Sequence, residues 1–536
     1  MIHMLAMRLR PVALRNARWD MVGVAIAVFL LGFATTHSSA IFIQRDTIHQ
    51  DFVALGLARG CWEFITEKML AVLLLWPLFW IFGPSPHIEM WLLAFSAAIS
   101  AALVYEMARL SSNSRLSGLL ASLILVALPA FQFYSRTYLG FIAPCLLGAW
   151  YSIWRKRWWW AGFCLGLSIL AHFNSLVPAG ISAIVVFVFH VRQSKWQHWV
   201  FFALGGLTPI AVIEGLFFFY AGPELFQWTQ GTFAMIFRFS GIQQVASAPN
   251  WFWMAETIVG ANGLFAALIL ALGATAPLII RGNRTGTATS IAFLGVAAFY
   301  FVQGGIGRSL MAPRSLASSY PFWAIGSGIV LSRLATAIPI TTFRKIIMGA
   351  IATLLFATAV SVGSFMYEFT KTPYPDIEAL IVKIAGESRP LRYYYGNPWT
   401  YLFYGQIHGV EMLVNDDRWV EQGRPGQAVL IFDGAAPSQI SREKYTITTV
   451  RINDSLDSTY PPLTAEASIP RQLEVWWPSQ HSEPIKPATP PASAVAAFYY
   501  RGTGCFTAPK HSDGDRPRAL HYYQLWIKRL QALFQK

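Results

Sequence analysis

The chain has 536 residues, of which 55% are hydrophobic and only 13% are charged, against roughly 25% in ordinary soluble domains. Its 41 Lys and Arg residues outnumber 27 Asp and Glu residues, which gives a formal net charge of +14. This composition excludes a disordered chain, a coiled coil and an ordinary cytosolic enzyme. The four cysteines exclude a disulfide-rich secreted scaffold, and long apolar runs favour a multi-span membrane protein.

Charge divides the sequence into two parts. Residues 1–366 contain 23 basic and 10 acidic residues, whereas residues 367–536 contain 18 and 17. We therefore expect a transmembrane domain over 1–366 and a polar domain over 367–536 that is long enough to bury its own core. The positive charges are spread among apolar spans rather than collected on one face, so we expect no nucleic-acid partner.

The apolar runs predict eleven membrane spans. The first covers residues 21–35 behind four arginines, which indicates an uncleaved span with a cytoplasmic N-terminus. The run at 68–83 is only about 16 residues long, so we expect it to lie along the membrane surface. The other ten predicted spans are 88–107, 116–133, 138–154, 158–171, 175–190, 199–220, 257–280, 286–303, 315–333 and 344–366.

This count places 16 basic residues of the membrane part inside and 7 outside, as the positive-inside rule prefers. An odd number of spans places the C-terminal part outside. There, residues 374–387 predict a helix, and short strands are predicted at 391–395, 410–414 and 428–432, which together indicate a small α/β domain. The sequence does not show whether Cys61 and Cys505, both expected outside, form a pair.

The first outer loop, residues 41–68, contains four of the ten acidic residues of the membrane part. Asp46 and His49 are three residues apart and would share one face of a helix. The segment after Asp51 is amphipathic and suits an interfacial helix that ends at Gly60. A solvated loop of ordinary charge content is the alternative, in which Asp46 pairs with an arginine or caps a helix.

Other polar residues also collect at the outer ends of the predicted spans. The second outer loop carries Glu224, Arg238 and Glu256, and shorter outer turns carry Arg136, His172, Arg308 and Arg314. A transporter would more often place ionisable groups at mid-membrane, where Glu214 is the clear candidate. The pattern therefore favours a site at the outer surface that faces an anionic, lipid-borne substrate. A transporter or lipid flippase and a non-catalytic membrane scaffold stay open as alternatives.

Several short motifs follow one another in a familiar order. They are Arg45-Asp46-Thr47, Ala54 to Gly60, Glu67-Lys68-Met69-Leu70, Phe82-Gly83, Pro129 with Tyr134-Ser135-Arg136, Pro313-Arg314 and Tyr320-Pro321. In this order the sequence resembles the GT-C glycosyltransferases, in particular the polyprenyl-phosphate-dependent branch with protein O-mannosyltransferases and the aminoarabinose transferase of lipid A. Thr47 stands where that branch has a second acid, and Met69-Leu70 stand where it has Pro-Pro.

The resemblance implies a GT-C-like fold of about eleven spans with juxtamembrane helices, and a small C-terminal α/β periplasmic domain. The implied activity is hexosyl or pentosyl transfer, from a polyprenyl-phosphate sugar donor to a lipid, glycan or protein acceptor, in a bacterial inner membrane. Phosphate leaves readily, so the reaction needs positive charge near it and a base for the acceptor hydroxyl. The use of a divalent cation, and with it any metal ligand, stays open.

We therefore divide the candidate site residues by role. As the base we expect Asp46 first, Asp51 second and His49 third. The candidates for binding the donor phosphate are Lys68, Arg136, Arg238, Arg308 and Arg314. Further candidates are Glu67, Glu224, Glu256 and Tyr320.

Overall fold

The structure is a computed structural model. It describes residues 19–35, 47–60, 68–220, 226, 228–232, 249–280, 284–305, 313–371, 375–387, 391–394, 399–410, 412–414, 428–433, 442–451, 472–478 and 498–500. The first part of this range is helical. Its helices are α1 Trp19–Ala34, α2 Thr47–Ala58, α3 Met69–Phe82, α4 Pro86–Ser112, α5 Arg115–Ala127, α6 Pro129–Tyr134, α7 Ile142–Trp154, α8 Trp158–Ala171, α9 Leu176–His190, α10 Trp196–Tyr220, α11 Trp253–Gly273, α12 Ala276–Ile279, α13 Arg284–Gly305, α14 Tyr320–Ala337 and α15 Thr341–Lys371.

The helices of the described residues confirm a polytopic membrane protein. Six of them are long and apolar enough to cross a membrane, namely α4, α9, α10, α11, α13 and α15. Five shorter apolar helices are α1, α3, α5, α7 and α8. Apart from α3, each of these coincides with a predicted span, and α14 covers the remaining one at 315–333.

Helix α3 occupies the apolar run that was predicted to lie along the membrane surface. Its first two turns are buried, mainly against α2, and they include Met69 and Leu75. Its last residues, Trp80, Ile81 and Phe82, are apolar and exposed. An apolar helix end with no protein cover is typical of a segment that contacts lipid.

Helices α8 and α10 approach each other through glycine. A Cβ atom on Gly162 would collide with the carbonyl oxygen of Phe202, and one on Gly205 would collide with that of Trp159. In lipid there is no hydrophobic driving force between helices, so their association depends on close van der Waals packing. Small residues at a crossing allow that close approach of the two backbones. In α11 the chain is kinked at Gly263, whose φ of 80° favours glycine.

The C-terminal region forms an α/β unit around a six-stranded sheet. Helix α16 Pro375–Gly386 leads into β1 Leu391–Tyr394, α17 Trp399–His408, β2 Met412–Val414, β3 Val429–Asp433, β4 Tyr445–Arg451, β5 Gln472–Pro478 and β6 Phe498–Tyr500. The strand order is β4-β5-β3-β1-β2-β6. Strands β3, β1 and β2 are parallel, and β4, β5 and β6 join them in antiparallel pairs.

The predicted α/β character of this region is confirmed, since α16, β1, β2 and β3 lie where the sequence indicated one helix and three strands. Sequence reasoning did not predict α17 or the three antiparallel strands. Helix α15 continues to Lys371, and the domain boundary at residue 366 stays a prediction.

Candidate active site

Two carboxyl groups are buried against each other where α2 meets the start of α4. Asp51 and Glu89 are both 0% exposed, and the side-chain amide of Gln50 donates a hydrogen bond to Glu89 Oε1. The two carboxyl groups lie within hydrogen-bonding reach of each other once one of them carries a proton. No described residue donates a hydrogen bond to Glu89 Oε2 or to either oxygen of Asp51.

Local sequence explains how these groups become buried. Ser85 caps α4 by accepting a bond from the His87 amide at 3.4 Å, and Pro86 fills the first helical position, so Glu89 lies in the first turn. Helix α2 was expected at the interface, but α3 and α17 cover it. Its Phe52 and Leu55 are buried, and the neighbouring Asp51 is buried with them.

This burial changes the acidity of Asp51. Removal from water raises the pKa of its carboxyl group to about 7, because the charged form loses hydration, while hydrogen bonding to Glu89 acts in the opposite direction. A carboxyl group with a pKa near neutrality can exchange a proton at ordinary pH. Asp51 thus differs from a solvated loop acid.

Lys68 brings positive charge to the same place. It is 1% exposed and stands immediately before α3. Its ammonium nitrogen lies 4.4 Å from the centroid of the Tyr138 ring, and it interacts electrostatically with Glu89. His172 also packs on Tyr138, with ring centroids 4.8 Å apart. The Tyr138 face stabilises the Lys68 ammonium through a cation–π contact without neutralising it.

Arg136 is buried at the polar end of an apolar cleft between α1, α4 and α6. Its guanidinium donates to the Thr35 hydroxyl and to the Gln132 carbonyl oxygen. The cleft is lined by Val28, Leu31, Gly32, Met90, Leu93, Ala94, Ala97, Val126, Phe131, Gln132, Ser135 and Arg136. Met90 follows Glu89 directly, so the cleft and the carboxyl pair share the first turn of α4.

The C-terminal unit closes the other side of the pair. Arg59, which follows α2, donates to the Gln406 carbonyl oxygen of α17 at 2.7 Å, and the rings of Phe79 and Phe403 have centroids 6.3 Å apart. Burial raises the pKa of Tyr404, and the carboxyl groups of Glu378 and Asp51 raise it further. The C-terminal unit therefore contributes a phenol group on which the Asp51 carboxyl group acts electrostatically.

The predicted site residues differ in their burial and in their contacts. Asp51, Lys68 and Arg136 are all buried, and the first two both interact with Glu89. Arg314 is half-buried in the turn Pro313–Leu316. Glu256 is exposed and accepts a bond from the Asn250 side chain at 2.9 Å, and Tyr320 is buried edge-on to Trp323.

The remaining predicted residues stay predictions. The His49 backbone belongs to α2, but its side chain is outside the described part of the structure. Also outside the described residues are Asp46, Glu67, Glu224, Arg238, Arg308, Cys61 and Cys505. Within the residues that are described, no group of three or more His, Cys, Asp or Glu side chains is placed to hold a metal ion.

Sequence reasoning missed Glu89, Gln50 and Tyr404. Glu89 had one signal, as one of only ten acids in the membrane part and at the edge of an apolar run. Gln50 and Tyr404 had none, because their role depends on the packing of α2 against α4 and α17.

Acids at the opposite end of the helices have different partners. Asp20 accepts two bonds from Arg115 at 2.6 Å and one from the Tyr105 hydroxyl at 2.8 Å. Glu106 accepts two bonds from Arg109 at 2.8 Å and one from Arg155 at 3.2 Å. This end therefore ties α1, α4, α5 and the end of α7 together with paired charges.

Known structures share this fold over most of the chain. The crystal structure of ArnT, the lipid A aminoarabinose transferase, from Cupriavidus metallidurans bound to undecaprenyl phosphate aligns with 13% identity and a TM-score of 0.57. The alignment covers 87% of this chain and 98% of ArnT. The fold is that of the GT-C glycosyltransferases. The apo structure of the same ArnT aligns with 14% identity and a TM-score of 0.52, over 78% of this chain and 93% of that one.

The GT-C resemblance expected from the sequence motifs is thus confirmed at the level of fold. No protein-family model and no curated protein sequence matches the chain. The identity to the solved GT-C structures is low enough that chemistry has to be argued from the residues of this chain.

Proposed function

We propose that the protein is an integral-membrane glycosyltransferase that moves a sugar from a polyprenyl-phosphate-linked donor to a lipid, glycan or protein acceptor. The observation that carries this proposal is the buried Asp51 carboxyl group, which no described residue supplies with a hydrogen bond, next to Glu89, with which Lys68 interacts. Buried polar groups are nearly always hydrogen-bonded, so one without a donor indicates chemistry. The GT-C fold supports the reaction class.

In this proposal Asp51 is the base that accepts the proton of the acceptor hydroxyl. Its pKa of about 7 suits that role, because general bases work best when their pKa is close to the working pH. Lys68 and Arg136 stabilise the negative charge that develops on the leaving phosphate. The apolar cleft that ends at Arg136 would hold the first part of the polyprenyl chain.

The transporter alternative depends on Glu214, and the structure gives that residue a local role. Glu214 lies in α10 and accepts bonds from the backbone amide of Thr229, at 2.7 Å, and from the Thr229 hydroxyl. It thereby anchors the segment that follows α10. This contact gives Glu214 Oε1 a structural partner, while Glu214 Oε2 is buried and accepts no bond from a described residue.

We further propose that the Asp51 end of the helices faces the outside of a bacterial inner membrane. Arg109, Arg115 and Arg155 lie at the opposite end, which the positive-inside rule assigns to the cytoplasm. The C-terminal unit packs on α2 through α17 and so lies on the Asp51 side. The use of a divalent cation stays open, and a chelator in the same assay tests it.

The test is release of polyprenyl phosphate from lipid-linked hexose and pentose donors by the purified protein, with membrane extract as the source of acceptor. Asp51→Asn keeps the shape but removes the base, so we expect a loss of about 100- to 10,000-fold. Melting should change little, because an amide is cheaper to bury than a carboxylate. Asp46→Asn is the competing variant, and we expect a milder loss from it.

Glu443→Gln provides the control, since Glu443 is an exposed acid of the outer unit. It should retain full activity. Near-normal turnover by Asp51→Asn would contradict the assignment of the base. A dead Asp46→Asn protein with an active Asp51→Asn protein would move the base to the start of the loop, while release by none of the proteins would contradict the proposed function.

A further inference from the structure

Only one of the four carboxyl oxygens of Asp51 and Glu89 accepts a hydrogen bond from a described residue. Gln50 donates to Glu89 Oε1, and no described residue donates to Glu89 Oε2, Asp51 Oδ1 or Asp51 Oδ2. Two carboxylates in contact cannot both be ionised at low cost, because like charges repel and burial removes their hydration. One proton between the groups removes the repulsion and supplies the missing donor. The geometry favours Glu89 Oε2 as its site, since Oε1 is already occupied as an acceptor.

The charges around the pair agree with a single negative charge. Lys68 provides one positive charge from the start of α3. From α17, Tyr404 faces Asp51 as a neutral phenol, and Glu378 of α16 acts on Tyr404. Arg59, just after α2, donates to the Gln406 carbonyl oxygen. The start of α4 adds the positive end of a helix dipole, which favours one anion there.

We propose that Asp51 and Glu89 form a carboxyl dyad that shares one proton, in which Asp51 is the base and Glu89 is the positioning residue. This inference rests on the proposed function and adds a residue from α4 to it. The Glu89 proton would hold one Asp51 oxygen in place and leave the other oxygen to face the acceptor. Gln50 would fix the orientation of Glu89.

The dyad accounts for the proton that the acceptor hydroxyl loses during sugar transfer. The acceptor oxygen forms a bond to the anomeric carbon of the sugar, while the bond from that carbon to the phosphate oxygen breaks. The bonding electron pair leaves on the polyprenyl phosphate, and the acceptor proton passes to Asp51. The dyad then holds two protons, and one returns to water before the next turnover.

The pH profile of sugar transfer tests the dyad. The wild-type rate should rise as the pH passes through about 7, because Asp51 accepts a proton only when ionised. It should fall again at higher pH, when the dyad loses its shared proton, which gives a bell. Glu89→Gln cannot ionise but can still donate an N–H to Asp51. We expect it to keep activity within about 10-fold at neutral pH and to lose the alkaline limb.

Two outcomes would overturn the dyad. If Glu89→Gln keeps a bell-shaped pH profile of unchanged shape at a lower rate, Glu89 has a structural role alone. A Glu89→Ala protein with wild-type rate and profile would mean that Asp51 needs no partner. If the inference is correct, Glu89→Ala loses activity at every pH, because Asp51 then has no donor, and Glu89→Gln restores most of it.

An infrared measurement separates failure of the dyad from failure of the proposed function, because it needs no substrate. At a pH above the pKa of Asp51, the wild-type protein should show a protonated-carboxyl band that is absent from Glu89→Gln and present in Glu443→Gln. The band without sugar transfer would support the dyad and contradict the transferase. Transfer that requires Asp51, without the band, would contradict the dyad alone.

Discussion

Helix α4 carries one glutamate near each end, and the two have opposite surroundings. Glu89 and Glu106 are 17 residues apart, which is about 26 Å along a helix axis. Glu106 accepts bonds from two arginines, whereas Glu89 accepts one from an uncharged amide and faces another acid. Near Glu106, Asp20 is held by Arg115 and Tyr105, while near Glu89 no described residue donates to Asp51.

This difference in hydrogen-bond partners separates acids that stabilise the fold from acids that are available for reaction. An acid matched by arginine has its charge and its lone pairs satisfied, so it gains nothing from a ligand. A buried acid without a donor keeps a free energy cost that a proton or a substrate hydroxyl can relieve. The two ends of α4 therefore differ in whether hydrogen-bond donors reach the acids, not in the number of acids.

The C-terminal unit adds to this contrast, because its described helix α17 packs on α2, at the Asp51 end. Its α17 contacts α2 and brings Tyr404 towards Asp51. The described contacts of Asp20 and Glu106 all come from α4, α5 and the end of α7. A domain that excludes water from one carboxyl pair raises the strength of every electrostatic interaction there.

The largest expected effect concerns the orientation of the chain in the membrane, which a reporter fusion reads as all-or-none. Reporter fusions after residue 371, where α15 ends, should give a periplasmic signal. Fusions at Arg155, beside Glu106, should give a cytoplasmic one, because the arginine-rich end belongs inside. A cytoplasmic signal from the tail would reverse the two ends and remove the outer-surface site.

The second effect is a loss of stability at the arginine-paired end. Glu106→Gln leaves Arg109 and Arg155 without their carboxylate, and removing one partner of a buried pair costs on the order of 3 kcal/mol. The Glu106 side chain is only 7% exposed, so water compensates little. We expect a lower melting temperature and normal transfer per folded molecule.

Glu89→Gln is the matched variant on the same helix, with the opposite expectation of altered transfer and unchanged melting. The same response from both variants would remove the distinction between the ends. Thermal unfolding in detergent and transfer normalised to folded protein measure the two quantities separately.

Sequence reasoning found those parts of the molecule that depend on local pattern. Hydropathy predicted the helices, because a span needs about 20 apolar residues whatever surrounds it. The C-terminal strands β1 to β3 were predicted from short apolar runs between turns. Antiparallel β5 was not predicted, although it contributes the buried Trp476 and pairs with both β3 and β4.

The site was only partly predictable for the same reason. Asp51 and Lys68 were candidates because the first outer loop is rich in acids and motifs. Glu89 could not be ranked, since its importance comes from a contact with Asp51 across 38 residues of chain. An acid inside an apolar run gives a signal, but only the fold shows whether an arginine or another acid faces it.

The smallest effect that we predict concerns Lys68 and whether its charge serves a ligand or only packing. Lys68→Met keeps the length of the side chain and removes the ammonium group. A bond from a charged group is worth about 1.5–3 kcal/mol, so kcat/KM for the donor should fall roughly 10- to 100-fold. Lys68→Arg should recover part of this loss, because its guanidinium keeps the charge but has a different shape.

Lys383 offers a matched control, because its ammonium lies 4.2 Å from the centroid of the Trp477 ring in the outer unit, a cation–π contact like that of Lys68 with Tyr138. Lys383→Met should leave the donor kinetics unchanged. Equal kinetics for Lys68→Met and Lys383→Met would show that Lys68 only packs on its ring. A selective rise in the donor KM for Lys68→Met would instead place the phosphate beside the dyad, at the end of α4 where no arginine among the described residues bonds to Asp51 or Glu89.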